Sequence, residues 1–116
     1  MKRILFIVDE QSLQEIVQLV FKENYIVKGI ISSRNLEEVI SNFNPDIILL
    51  DVDFGGADGR VVCRYLKGYQ PTAHIPIVLI TANTVTDSDY RCEPNSIVEK
   101  PFDIEVLKSI VAEMIN

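Results

Sequence analysis

The sequence predicts an α/β fold built on a parallel sheet of five strands. Short, nearly continuous apolar runs occur at residues 4–8, 47–50, 75–80 and 97–98. Such runs are typical of strands that are buried on both faces, as in parallel sheets. Between most of them, apolar residues recur at helical spacing, so strands and helices alternate. This alternation predicts helices on both faces of the sheet.

Five strands and four regular helices are predicted in order along the chain. The strands lie at residues 4–8, 25–31, 47–50, 75–80 and 97–99. The helices have apolar residues three or four positions apart, and they lie at residues 13–21, 36–43, 62–68 and 104–114. In the third helix, Val62, Tyr65 and Leu66 form the predicted apolar face.

Several helix ends can be predicted from single residues. Asn35 with Glu38 three residues later predicts a capping box at the start of the second helix. Gly68 is the candidate residue for closing the third helix. Residues 83–95 have poor apolar spacing and many Thr, Asp, Ser and Asn residues, which favour turns and caps. Because Pro94 stops any helix there, we expect the fourth helix to be short or irregular.

The strand order can be inferred from general rules of connection. Right-handed crossovers leave few topologies for five parallel strands, and the flavodoxin-like order 2-1-3-4-5 is favoured. Its switch point lies between the first and third strands, and ligands bind at the carboxyl ends of the strands there. The length of 116 residues fits a single domain over residues 1–116.

Composition, charge and the lack of targeting segments argue against a disordered, nucleic-acid-binding, membrane or secreted protein. Hydrophobic residues make up 47% of the chain, which predicts a globular protein, and the net charge of −6 disfavours direct binding to nucleic acid or anionic membranes. No apolar run approaches the roughly 20 residues of a membrane helix, and no signal-peptide cleavage region is present. We therefore expect a cytoplasmic protein in which Cys63 and Cys92 are ordinary thiols and His74 is a solvated loop residue.

Four polar residues follow the apolar runs at the strand ends. Asp9 and Asp51 stand at the ends of the first and third predicted strands, Thr81 at the end of the fourth, and Lys100 follows the fifth. Alone, each residue is more simply explained as a helix cap, a turn residue or a solvated lysine. In a parallel sheet, however, all four lie at one edge. The pattern therefore predicts one convergent site.

The chemistry of these four groups indicates phosphoryl transfer. Two adjacent carboxylates repel each other unless a cation joins them, and Mg²⁺ prefers carboxylate and phosphate oxygens. A carboxylate is also a nucleophile that can accept a phosphoryl group. An ammonium and a hydroxyl can then bind the phosphoryl oxygens.

The chain resembles a receiver domain of two-component response regulators over essentially its whole length. The motifs that carry the resemblance are residues 4–10, 45–51, 57–59, 75–82 and 99–102. Each motif is common alone, but their combination in this order is highly specific.

The resemblance implies a role for each site residue. Asp51 is expected to be the phosphoacceptor, with Thr81 and Lys100 binding the phosphoryl oxygens. Asp9 is expected to be a direct Mg²⁺ ligand together with Asp51 and the backbone carbonyl of Asp53. It further implies a cis peptide between Lys100 and Pro101. The side chains of Asp53 and Asn83 occupy positions that tune the phosphoryl lifetime in receivers.

The resemblance also implies partners. A histidine kinase, a phosphotransfer protein or a small phosphodonor would modify Asp51, and a downstream protein target would receive the signal by contact. The chain would not be an enzyme beyond phosphorylation and dephosphorylation of itself at Asp51. Whether the chain forms a homodimer is left open. The sequence does not distinguish a stand-alone receiver from one cut out of a longer protein.

Three departures from the family pattern support a second hypothesis. In the ungapped alignment, which we favour, Val8 replaces the first of two adjacent acids, and Glu10 is a candidate for partial compensation as a Mg²⁺ ligand. A one-residue slip would instead make Asp9 and Glu10 the pair. Ile97 replaces the switch aromatic, and the segment from Thr81 to Lys100 is shorter by about one helical turn. The alternative is therefore a degenerate receiver that binds proteins independently of phosphorylation, and an unrelated flavin binder is the third hypothesis.

Overall fold

The computed structural model describes residues 1–54, 56–82 and 85–115. Seven strands and five helices occur in this part of the chain. In chain order they are β1 (Arg3–Ile7), α1 (Gln11–Phe21), β2 (Ile26–Ile30), α2 (Leu36–Phe43), β3 (Ile47–Asp51), β4 (Asp53–Phe54), β5 (Ala57–Asp58), α3 (Gly59–Gly68), β6 (Ile77–Thr81), α4 (Asp87–Tyr90), β7 (Ser96–Glu99) and α5 (Ile104–Ile115).

Five of these strands form one sheet in the order β2-β1-β3-β6-β7. All four pairings are parallel. The strands β4 and β5 form a separate antiparallel hairpin, so β6 and β7 are the fourth and fifth strands of the main sheet. The predicted flavodoxin-like order 2-1-3-4-5 is therefore confirmed.

The two faces of the sheet bury two separate apolar cores. On one face, alternate residues of the central strands pack with α1 and α5, including Val17 and Leu107. On the other face, the intervening residues pack with α2 and α3, including Ile40 and Leu66. The residues of β3 are all buried, as the continuous apolar run predicts for a central parallel strand. Helices on both faces are thus confirmed.

The side chain of Gln14 joins the carboxyl ends of β1 and β2. Its Nε2 atom donates hydrogen bonds to the carbonyl oxygens of Val8 at 2.9 Å and Ile30 at 3.1 Å. Its Oε1 atom fills the space beside Gly29, where a Cβ would overlap it. A polar side chain of α1 therefore satisfies backbone acceptors at the edge where the predicted site lies.

Two local predictions on helices differ from the structure. Asn35 has φ of 55° and makes no side-chain capping hydrogen bond, so the predicted capping box with Glu38 is wrong. Leu66 is buried as predicted, but Tyr65 is 47% exposed because α3 turns Cys63 towards the sheet in its place. The hydroxyl of Tyr65 donates to a carboxylate of α2, which explains why this aromatic residue lies at the surface.

The predicted ends of the other helices agree better with the structure. The helix α3 ends at Gly68, although the next residue, Tyr69, is extended and no left-handed glycine cap is used. The helix α4 has only four residues, as expected. Glu93, with φ of 60°, lies between α4 and β7. Within the described ranges, no helix is long and apolar enough to cross a membrane.

Candidate functional site

Asp51 is the last residue of β3, and its carboxylate is almost completely buried. Only 3% of the residue is exposed. The Oδ2 atom lies 2.7 Å from Nζ of Lys100, and the Oδ1 atom accepts a hydrogen bond from the backbone N–H of Asp53 at 3.1 Å. Because a buried carboxylate is costly unless its charge is compensated, these contacts both compensate and orient Asp51.

The ends of β6 and β7 bring Thr81 and Lys100 to the same edge of the sheet. Asp51 pairs with Ile80 in the sheet register, so Thr81 is one residue further along the neighbouring strand. The backbone N–H of Lys100 donates to the carbonyl oxygen of Thr81 at 2.7 Å, and Thr81 is buried. The peptide bond between Lys100 and Pro101 is cis, as predicted.

The residues after β1 differ strongly in exposure. Val8 is fully buried. Because the preceding residue, Ile7, pairs with Leu50, the continued register places Val8 beside Asp51. The next two residues, Asp9 and Glu10, are exposed. An Oε2 atom of Glu10 lies 3.8 Å from Nζ of Lys100. An apolar side chain therefore occupies the buried strand end, and the acids lie beyond it.

The donor chemistry of this edge suits a hard cation with few protein ligands. The carboxylates of Asp51 and Glu10 both approach the ammonium of Lys100, so positive charge is already favoured there. No cluster of three or more metal-ligating side chains occurs among the residues that the structure describes. Mg²⁺ commonly uses only one or two carboxylates together with water and phosphate oxygens. The oxygen donors present fit such an ion.

The hairpin of β4 and β5 begins two residues after Asp51 and was not predicted from the sequence as a pair of strands. Asp53 pairs with Asp58 across it, and Gly56 in its turn has φ of 80°, a conformation that glycine adopts without strain. The first residue of α3, Gly59, donates its N–H to the carbonyl oxygen of Val52 at 2.6 Å. The hairpin therefore returns the chain to the end of β3.

An ion pair at the start of α3 was also not predicted from the sequence. The carboxylate of Asp58 accepts from the backbone N–H of Arg60 at 2.9 Å and caps the helix. It also accepts from the guanidinium of Arg60 at 3.1 Å through each of its two oxygens. These hydrogen bonds hold the pKa of Asp58 below its usual range. The signal in the sequence was the Asp-Gly-Arg order at a helix start.

The cysteines and the histidine have no place in this site. Cys63 and Cys92 are free and buried, in agreement with the prediction of ordinary thiols. Burial raises the pKa of the Cys63 thiol, and its proximity to Cys92 adds to the effect. Such a thiol is a poor nucleophile. His74 is exposed in the loop before β6, as expected.

Two predictions concern Asn83, which follows β6, and Ile97, which lies in β7. Asn83 lies outside the described residues. Ile97 is partly buried and packs against the core that α2 and α3 share. The helix α4 begins after Thr86, whose backbone N–H donates to the carboxylate of Asp89 at 2.9 Å.

A family model of the response regulator receiver domain matches residues 4–112. The chain belongs to this family. Receiver domains of this family are signalling modules of two-component systems, and they work with histidine kinases and downstream targets.

Individual relatives agree with this assignment. The response regulator ArlR of Staphylococcus saprophyticus is 34% identical over 123 residues, which include all of this chain and 53% of ArlR. This chain thus spans about half the length of that relative. The signal receiver domain of a histidine kinase from Syntrophus aciditrophicus is 27% identical, with a TM-score of 0.88 over 99% of this chain and 90% of that one.

Another similar structure is a receiver domain in a BeF3-activated form. The BeF3-activated N-terminal receiver domain of Klebsiella pneumoniae RstA is 25% identical to this chain. Its TM-score is 0.85, with 99% of each chain covered. The receiver fold is therefore shared over the whole described chain.

Proposed function

We propose that this receiver domain accepts a phosphoryl group on Asp51. The observation that best supports the proposal is the contact of 2.7 Å between Asp51 Oδ2 and Lys100 Nζ at the carboxyl edge of the sheet. A buried carboxylate with a single ammonium beside it is both oriented and charge-compensated. The donor would be a histidine kinase, a phosphotransfer protein or a small phosphodonor.

The reaction is a displacement at phosphorus. A carboxylate oxygen of Asp51 attacks the phosphorus atom, an acyl phosphate bond forms, and the bond to the donor's leaving group breaks. Positive charge near the equatorial oxygens lowers the barrier, and Lys100 supplies it. Thr81 would donate its hydroxyl to another phosphoryl oxygen. Hydrolysis of the acyl phosphate returns Asp51 to a carboxylate, so the activity is limited to this self-modification.

We include Mg²⁺ as the cofactor of the proposed reaction. Asp9, Asp51 and the backbone carbonyl of Asp53 would hold it, and Glu10 is a candidate for a further ligand. When bound, the ion neutralises charge on the phosphoryl oxygens. The support in this chain is the convergence of Asp51 and Glu10 on one ammonium.

The proposed partners follow from the same function. The phosphoryl donor would approach the edge that carries Asp51, and a downstream protein would recognise the changed charge by direct contact. Direct binding to nucleic acid is disfavoured by the net charge of −6. The cytoplasmic location stays a prediction, and the choice between monomer and homodimer stays open.

A second candidate function is supported by one observation. Val8 is fully buried beside Asp51, where an acidic neighbour would help to bind a cation. If this replacement weakens Mg²⁺ binding too far, Asp51 and Lys100 form only a structural ion pair. The chain would then act as a degenerate receiver that binds partners independently of phosphorylation.

Incubation with acetyl phosphate and Mg²⁺, followed by intact mass measurement, separates the two candidates. Under the first, the protein gains the mass of one phosphoryl group, and Asp51→Asn does not. Omission of Mg²⁺ should abolish the gain. If the wild-type mass stays unchanged at all Mg²⁺ concentrations and Mg²⁺ has no effect on thermal unfolding, the phosphorylation proposal is wrong and the binding module remains.

A further inference from the structure

We propose that the groove between α3 and α4 binds a small phosphate ester that carries at least two phosphate groups. The groove has a volume of about 430 Å³, which lies within the range of small-ligand sites. Three of its six lining residues are arginines, one is a serine and only one is acidic. The lining residues are Asp58, Arg60, Val61, Arg64, Ser88 and Arg91.

The three arginines come from two elements and face one space. Arg60 and Arg64 are four residues apart in α3, so they lie on the same side of the helix. Arg91 directly follows α4. Arg64 and Arg91 are exposed, and within residues 1–54, 56–82 and 85–115 neither forms an ion pair. Two guanidinium groups are therefore available to an anion.

Among the lining residues, Arg60 is already held in position by its neighbours. Asp58 binds two of its nitrogen atoms, and its Nη1 atom donates to the hydroxyl of Ser88 at 3.1 Å. The same Nη1 atom lies 3.7 Å from the carboxylate of Asp89, which is 4% exposed. Arg60 thus joins α3 to α4 before any ligand binds. Such preorganisation reduces the entropy that a ligand must overcome.

The chemistry of the groove suits phosphate groups. Guanidinium groups match phosphate oxygens through two parallel hydrogen bonds, and two unpaired groups fit two phosphates. The groove is a local concentration of positive charge on a chain whose net charge is −6. A long polyanion such as nucleic acid would extend beyond the groove and meet the surrounding negative charge, whereas a small ester would stay within the groove, where the arginines outnumber the single acidic residue. The proposal is independent of phosphorylation at Asp51.

Calorimetric titration with ADP and with inorganic pyrophosphate, in EDTA, tests this site without Mg²⁺. We expect both probes to bind and adenosine not to bind. The double variant Arg64→Gln/Arg91→Gln should weaken binding by at least about tenfold, because charged hydrogen bonds are lost. Arg34→Gln removes an exposed arginine outside the groove and is the matched control. Binding should also weaken as the salt concentration rises.

Amide shifts in two-dimensional NMR spectra locate the bound probe. We expect pyrophosphate to shift the amides around Arg64 and Arg91. Shifts confined to the residues around Thr81 and Lys100 would place the anion at Asp51 and overturn the proposal. An equal loss of affinity in Arg34→Gln would show nonspecific attraction, and tighter binding of an acidic peptide than of ADP would indicate a protein partner. Either result would also contradict the proposal.

Discussion

Gly59, the first residue of α3, lies directly against the backbone of Asp51, the last residue of β3. A Cβ at position 59 would overlap the Asp51 carbonyl oxygen and would lie 2.9 Å from Cα of Val52. Both neighbours are backbone atoms of a buried strand end, so they cannot move aside as a flexible side chain could. The start of α3 and the proposed phosphoacceptor are therefore packed as one rigid unit.

Replacement of Gly59 by alanine should disturb both stability and reactivity. Overlap with the strand backbone is expected to lower the free energy of unfolding by about 1–3 kcal/mol. The displaced end of β3 should also slow phosphorylation of Asp51 by acetyl phosphate. Urea unfolding and a time course of intact mass measure the two effects.

Gly68→Ala is the matched control, because it changes the last residue of the same helix. Apart from its chain neighbours and the backbone of its own helix, no atom lies within 4 Å of a Cβ at Gly68, and alanine is the better helix former by roughly 0.5–1 kcal/mol. The control should therefore leave stability equal or slightly higher. Equal stability and reactivity in Gly59→Ala would show that β3 tolerates the extra methyl group.

Val8→Asp should strengthen Mg²⁺ binding and weaken the metal-free fold. Val8 is buried beside Asp51, so a second carboxylate there adds a cation ligand and a like charge. We expect affinity to rise by roughly tenfold and the free energy of unfolding without Mg²⁺ to fall by about 3 kcal/mol. Thermal unfolding as a function of Mg²⁺ concentration measures both.

Val8→Asn controls for the loss of the apolar side chain, since it has the shape of aspartate without the charge. It should be destabilised but should gain little Mg²⁺ affinity. If Val8→Asp responds to Mg²⁺ in the same way as the wild type, position 8 does not correspond to the first of the two adjacent acids in the family. The alignment with Asp9 and Glu10 as the pair would then be preferred.

Lys100→Met should slow phosphorylation while the fold is kept. Methionine has a similar length but no charge, so the Asp51 carboxylate and the phosphoryl oxygens lose their ammonium partner. We expect the rate with acetyl phosphate to fall by about 100-fold. Lys108→Met, which removes an exposed ammonium from α5, should react at the wild-type rate. An unchanged rate in Lys100→Met would limit Lys100 to a structural role.

The stability of the protein should decrease at alkaline pH because of Cys63. Burial raises the pKa of this thiol in the folded state, whereas in the unfolded state the pKa is about 8.5. Above about pH 9 the unfolded chain therefore releases a proton that the folded chain retains. The free energy of unfolding should fall by up to about 1.4 kcal/mol per pH unit.

The comparison with Cys63→Ala isolates this effect from other groups that titrate at alkaline pH. Urea unfolding at about pH 8, 9 and 10 should give a steeper loss of stability for the wild type than for the variant. The variant is expected to be less stable at neutral pH, since it removes a fully buried side chain. Parallel pH profiles for the two proteins would assign the alkaline loss to other residues.

The sheet could be predicted from the sequence because burial on both faces leaves a simple pattern. The continuous apolar residues of β3 and β6 indicate central parallel strands, and strand order follows from connection rules. Local geometry was less predictable. The left-handed conformation of Asn35 depends on how the chain enters α2, and the exposure of Tyr65 depends on the rotation of α3 against the sheet.

Part of the candidate site could be predicted for the same reason. Asp51, Thr81 and Lys100 end strands, and their shared edge follows from the topology. The contact of Glu10 with Lys100 could not be predicted, because it depends on the path of an exposed loop. The ion pair between Asp58 and Arg60 also depends on local side-chain conformations, which apolar spacing does not specify.

Gln14 and Gly29 constrain each other as a pair. The carboxamide of Gln14 reaches the carbonyl oxygens at the ends of β1 and β2 only because Gly29 leaves room for it. A larger residue at position 29 would displace the carboxamide and leave those carbonyl oxygens without its donor. Evolutionary drift at one of these positions should therefore be accompanied by change at the other, so that homologous chains keep or lose the glutamine and the glycine together.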